Sequence, residues 1–283
     1  MAPATSAPHA PTLEEVIAAQ AALRAQCPLV QCLTNRVSTN FMANALLAVG
    51  ASPAMVDNPE EAGLFARVAS AVLINLGTPT QAQVEAMRLA AAAAHEAGKP
   101  WVLDPIGAGG LPWRGGIALE LLQHHPAMIR GNASEIIGLA GLGEGARGVD
   151  STAEPSAAVD SALKLLDHAR AVSASGAVDH VVGRVAETPT LIRIGGGNAL
   201  LTRVTAAGCA LGALAAAYGA VTADPFTALV AAHTHVAVAS ELAAEQATRP
   251  GSFAVAFLDA LDAVEGSTLR ARGQVQAAVS LAN

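Results

Sequence analysis

Short apolar runs of four to six residues recur along this chain, and stretches with the spacing of alanine-rich helices separate most of them. The clearest runs lie at 28–33, 71–76, 100–103 and 127–130, with further short strands predicted at 171–173, 180–182, 191–194 and 200–205. Helices are predicted over 12–26, 40–49 and 80–97, the last two stopped by Gly50 and Gly98, and another begins near Ser134. Beyond residue 206 the chain reads as helical, with breaks at Asp224-Pro225 and Arg249-Pro250-Gly251. Strands that alternate with helices of this length need crossover connections, which make a sheet largely parallel and cover both its faces. The fold class expected is therefore α/β, with residues 12–283 as one domain. Ligands in such sheets bind where strands finish at their carboxyl ends. The polar residues just after each strand are the ones that matter for chemistry.

Composition narrows the function. With 52% hydrophobic residues, 14% charged and 3% aromatic, Ala, Val and Leu must fill a sizeable core. A net charge of −7 argues against nucleic acid as the main partner, because neutralising phosphates takes clustered Lys and Arg. No window of 18 residues is continuously apolar, and the run at 209–221 is too short for a membrane span. Residues 1–11 are Ala/Pro-rich and lack the order of a signal peptide, so they read as a disordered lead-in. Cys27, Cys32 and Cys209 make an odd count without zinc-like spacing, which fits a reducing cytoplasm. Residues 141–156, rich in Gly, Ser, Pro and acids, read as a surface loop or lid.

Three segments carry chemistry. Val204-Thr205-Ala206-Ala207-Gly208-Cys209 runs through small residues into a helix. A helix N-terminus of that kind lets an anion approach free N–H groups at the positive end of the dipole, and the dipole favours a thiolate at Cys209. The plainer alternative is a cysteine buried on a core helix. Asp104 ends a strand and enters Pro105-Ile106-Gly107-Ala108-Gly109-Gly110, which suits a metal or phosphate site or is simply an Asp in a glycine turn. Arg130-Gly131-Asn132-Ala133-Ser134-Glu135 offers a phosphate partner in Arg130 and oxygens in Asn132 and Glu135 suited to Mg²⁺, while Asn-x-x-Glu also reads as a capping box. Asp104, Glu135 and Cys209 each follow an expected strand, so all three should open onto one sheet edge. That set reads best as a phosphotransferase.

Other candidates are weaker. His95, His124 and His125 lack partners at metal-ligand spacing, and His233 and His235 fall on different helix faces. Gly195-Gly196-Gly197-Asn198 lacks a dinucleotide-site context and reads as a hairpin-like turn, and no P-loop motif occurs.

From about Pro28 to Leu261 the chain resembles the hydroxyethylthiazole kinase family. The resemblance rests on Cys32-Leu33-Thr34-Asn35-Arg36-Val37-Ser38-Thr39-Asn40, Gly50-Ala51-Ser52-Pro53-Ala54-Met55, the Asp104 and Arg130 segments, Ser175-Gly176, the Cys209 turn and Pro250-Gly251-Ser252-Phe253. It implies a ribokinase-like three-layer α/β/α sandwich with a largely parallel central sheet. It also implies ATP as co-substrate near Arg130, Asn132 and Ser175, and Mg²⁺ organised by Asp104 and Glu135. Ala206, Ala207 and Gly208 would form the anion hole, Cys209 would be the catalytic residue, and Met55, Asn35 and Ala206 would meet a thiazole alcohol. Family members form homotrimers with the thiazole site at subunit interfaces. One departure stands out: Ala206 replaces the family's usual glycine. The rivals are a kinase of another small alcohol such as hydroxymethylpyrimidine, a nucleotide-dependent dehydratase of hydrated nicotinamide cofactors, and a non-catalytic binding protein that retains the pocket.

Overall fold

The computed structural model describes residues 8–142 and 155–282. Most of the expected lead-in and of the loop at 141–156 therefore lies outside the described residues. The first half alternates, with β2 and α3 added to the elements the sequence predicts: α1 (Leu13–Gln26), β1 (Leu29–Leu33), α2 (Thr39–Ala48), β2 (Ser52–Ala54), α3 (Pro59–Val68), β3 (Ala71–Asn75), α4 (Gln81–Glu96) and β4 (Trp101–Asp104). Then come α5 (Pro112–Leu122), β5 (Met128–Asn132), α6 (Ala133–Leu142), α7 (Val159–Leu165), β6 (Ala171–Ser175), β7 (Asp179–Val185) and β8 (Thr188–Ile194). Four helices follow, α8 (Ala207–Val221), α9 (Pro225–Gln246), α10 (Pro250–Ala263) and α11 (Gly266–Arg272), and a short β9 (Val279–Ser280) closes the chain.

Local signals explain many of the ends. Thr12 caps α1 through a reciprocal box with Glu15, and Thr80 does the same for α4 with Gln83. Gly50 and Gly98 stop α2 and α4 at φ +90° and +64°, where a side chain is disfavoured.

The strands form one sheet in the order β2-β1-β3-β4-β5-β6-β7-β8-β9. The six from β2 to β6 are parallel, and β7, β8 and β9 each add antiparallel. Alternate residues along each strand serve two cores. Ala71 and Leu73 of β3 face the cluster built with α1, α2, α8, α9 and α10, while Val72 and Ile74 face the one built with α3 to α7. The result is a three-layer α/β/α sandwich. Helix α9 is long and apolar enough to cross a membrane by length and composition, yet it lies inside the first core with His233, Thr234, His235 and Ser240 buried along it.

Two expectations fail around residue 195. No strand forms at 200–205; Ala199–Arg203 is a 3₁₀ helix, so Cys209 does not follow a strand directly. The hairpin is also misplaced by the glycine cluster. Its turn is Ala186-Glu187 between β7 and β8, both at positive φ (45° and 69°), and nothing in those two side chains announces such a turn.

Candidate active site

Strand parity sets the floor of the site. Asn75 shares the face of Ala71 and Leu73, Asp104 that of Val102, and Arg130 that of Met128. Each lies at or near the carboxyl end of its strand, and Asn75 pairs in register with Asp104. All three face the helix that begins at Ala207. Gly212 on α8 makes room for Asp104, since a Cβ there would stand 3.2 Å from Asp104 Oδ2. Gly208 does the same for Arg130, whose Nη2 would be 3.3 Å from an added Cβ.

Asp104 is fully buried. Its Oδ2 accepts a hydrogen bond from Asn75 Nδ2 at 2.8 Å and lies 3.6 Å from Arg130 Nη1, while Oδ1 has no partner. Burial pushes its carboxyl up to about 7, against the pull of the Arg130 guanidinium. Arg130 Nη2 donates to Ser175 Oγ at 2.8 Å, and Ser175 Oγ donates to the Gly131 carbonyl at 3.2 Å. One guanidinium thus ties Asp104 to Ser175.

Helix α8 opens with Ala206 at φ +70°, a left-handed conformation that suits the family's glycine and strains alanine. The first bond in the helix joins the Ala210 N–H to the Ala206 carbonyl at 2.8 Å. The N–H groups of Gly208 and Cys209 have no main-chain acceptor among the described residues, and Gly208 packs beside the Arg130 guanidinium. Free N–H groups at a helix start lined by small residues can receive an anion. The expected thiolate at Cys209 is not supported. Burial and the neighbouring Asp104 charge push the thiol above its ordinary value, and hydrogen bonds from Asn75 and Ser38 only partly offset this. Half-buried beside a carboxylate, the thiol stays protonated at neutral pH.

Asn35 joins the same network. Its Nδ2 donates to Asn75 Oδ1 at 3.1 Å and lies 4.0 Å from Cys209 Sγ, and its Oδ1 receives the N–H groups of Val37 and Ser38. A Cβ on Gly77 would overlap Asn35 Nδ2, so the chain after β3 must be glycine for Asn35 to reach Asn75. Sequence reasoning missed Asn75. Its signal was available, as a polar residue closing an apolar strand beside the one that ends in Asp104.

Asn132 and Glu135 adopt the capping-box alternative: Asn132 N–H donates to Glu135 Oε2 at 2.8 Å and Glu135 N–H to Asn132 Oδ1 at 2.9 Å. Glu135 Oε1 also receives the Gly107 N–H at 3.4 Å, which binds this turn to the glycine segment after Asp104. The box does not remove Glu135 from metal chemistry. The orphaned Asp104 Oδ1 and the Glu135 carboxylate are hard oxygen donors, and Mg²⁺ needs only one or two carboxylates when water and phosphates supply the rest. No group of three or more His, Cys, Asp or Glu side chains converges on a metal position among the described residues. The residues therefore fit a cation held largely through water and phosphate. Met55 stands apart, just after β2 at the sheet edge, about three strand spacings or roughly 14 Å across the sheet from β4.

The sequence profile of the hydroxyethylthiazole kinase family matches residues 20–266. A hydroxyethylthiazole kinase from Rhodococcus erythropolis is 60% identical over 266 residues, covering 94% of this chain and 95% of that one. The chain belongs to the hydroxyethylthiazole kinase family. Kineococcus radiotolerans has a hydroxyethylthiazole kinase 53% identical over 268 residues, again covering 94% and 95% of the two chains. Among solved structures, hydroxyethylthiazole kinase from Pyrococcus horikoshii OT3 superposes with a TM-score of 0.85 at 36% identity, over 94% of this chain and 99% of that one. Pyridoxal kinase from Staphylococcus aureus, solved with AMP-PCP and pyridoxal, superposes at 0.56 with 15% identity over 76% and 87% of the chains, a likeness of fold alone. The expected ribokinase-like architecture is the one observed.

Proposed function

We propose that this chain transfers the γ-phosphate of ATP to the primary hydroxyl of 4-methyl-5-(2-hydroxyethyl)thiazole, as the salvage step that makes the thiazole phosphate for thiamine. The observation that carries the reading is the α8 start: free N–H groups at Gly208 and Cys209 stand over an Arg130–Asp104 pair, with a cysteine between them and Asn35. Arg130 and Ser175 bind the phosphates of ATP, and Asn132 ends the strand that carries Arg130, in register with Ser175. The N–H groups from Ala206 to Cys209 hold the transferring phosphoryl group, whose charge needs donors already in place. Mg²⁺, held through Asp104 and Glu135, supplies neutralising charge to the phosphate oxygens when bound.

Cys209 enters as a thiol. In a loose phosphoryl-transfer transition state the hydroxyl keeps its proton until late, so positioning matters more than a strong base. Cys209 Sγ orients the alcohol, and Asn35 and Asn75 hold the sulfur in place. Met55 meets the thiazole from the partner side of a homotrimer; Leu47 of α2 and Val37, both exposed near β2, give that edge the apolar surface such an interface needs. The test is product analysis. Incubated with Mg·ATP and the thiazole alcohol, the protein yields one phosphate monoester on the hydroxyethyl oxygen by ³¹P NMR; ATP consumption without that ester refutes the assignment.

A further inference from the structure

A cleft of about 660 Å³ lies away from the carboxyl edge. It opens at the amino edge, where Pro100, Ala127 and Arg170 lead into β4, β5 and β6, and contains none of the residues assigned to phosphoryl transfer. We propose that it is a second binding site, for a small organic or inorganic anion carrying a phosphate or diphosphate group.

The lining carries the argument. His95, Lys99, His125, His168 and Arg170 converge on it from three separate connections, α4–β4, α5–β5 and α7–β6, of a chain whose net charge is −7. Seven arginines are paired with carboxylates, whereas Lys99 and Arg170, like Arg36, Arg114, Arg193, Arg203 and Arg249, have no carboxylate partner among the described residues; Lys99 and Arg170 alone of these line the cleft. Asp167, the one carboxylate in the lining, stands 3.5 Å from Arg184. Nearby Glu96 is held by Arg67 at 2.6 Å, and both oxygens of Asp224 cap the first turn of α9.

Several helices end at this edge, and basic side chains are often found there because they complement the negative end of the dipole. Here that explanation falls short, because none of the five side chains donates to a terminal carbonyl among the described residues. Two of them contact each other, the His95 and His125 rings lying 5.6 Å apart. Five N–H-bearing groups left without acceptors around one concavity are what a multi-oxygen anion satisfies. Imidazoles serve as donors even when neutral. Pro100, Pro126 and Pro225 add rigid apolar wall, and the volume is that of an ordinary small-molecule site.

The test uses the full chain with inorganic pyrophosphate and phenyl phosphate as probes, read by the imidazole ¹⁵N signals of His95, His125 and His168. Saturable shifts are expected at all three. In a Lys99→Ala/Arg170→Ala variant the affinity should fall by about a hundredfold, roughly tenfold for each cation removed, with thiazole turnover unchanged. Tighter binding of phenyl phosphate assigns an organic ester, and tighter binding of pyrophosphate an inorganic ion. Imidazoles unmoved by either probe, or shifts that persist with the same affinity in the double variant, overturn the proposal. The variant lies far from Cys209, so this outcome is independent of the phosphoryl-transfer reading.

Discussion

Cys209 and Ala206 sit three residues apart and make opposite demands on the same turn. Replacing Cys209 by Ala removes a group that orients the alcohol and touches little of the core, so kcat should fall at least about tenfold with the thermal midpoint unchanged. Enzyme kinetics beside a melting curve check this; unaltered kcat removes Cys209 from the chemistry. Ala206 is held at φ +70°, and an alanine there costs on the order of 1 kcal/mol relative to a relaxed backbone. Ala206→Gly should therefore stabilise the fold by up to about 0.6 kcal/mol after the added freedom of the unfolded chain is counted, measured by urea unfolding. At this scale the sequence was partly legible. Residue type and position after an apolar run singled out Asp104, Arg130 and Cys209 as candidates, whereas Ser175 came only from the family resemblance. The protonation state of Cys209 was not legible, since it depends on burial and on an Asp104 charge that only tertiary packing brings close.

Elements show the same division. Helix α9 reads from sequence as an apolar helix with two histidines on different faces, and the structure gives each a separate polar partner. His233 Nδ1 meets Asp179 Oδ2 at 2.7 Å, while His235 Nδ1 accepts from the Tyr218 hydroxyl at 2.7 Å and its Nε2 donates to the Leu261 carbonyl at 3.0 Å. His235 is thus a neutral tautomer with both nitrogens satisfied. Burial holds its pKa down to about 4, against the pull of the Leu261 carbonyl bond. Between about pH 6.5 and pH 4 the unfolded chain takes up a proton that the folded one refuses, so stability falls as pH falls through that window. The contribution reaches about 3 kcal/mol at most. Urea midpoints at pH 7 and pH 5 should differ less in a His235→Asn variant than in the parent; an equal difference in both contradicts it. The failed strand at 200–205 has an equally physical cause. Its residues are apolar enough for a strand, but β9 occupies the edge beside β8, and the segment instead descends as a 3₁₀ helix to deliver Ala206 to the top of α8. Periodicity cannot foresee which segment wins a sheet edge.

For the whole molecule, alternation of strand and helix was enough to reach a layered α/β fold, because crossover geometry leaves few alternatives. The antiparallel extension β7-β8-β9 was hidden, since its turn lacks Asn-Gly chemistry and β9 is two residues long. Light scattering on the purified protein should give a mass of three chains, and a monomer with full turnover would remove the partner's Met55 from the site. The most direct measurement is kcat/KM by ADP release with Mg·ATP for two alcohols, 4-methyl-5-(2-hydroxyethyl)thiazole and hydroxymethylpyrimidine. Strong preference for the thiazole, lost in Cys209→Ala through kcat, is the result this account predicts. Equal turnover of both alcohols, or preference for the pyrimidine, would contradict it.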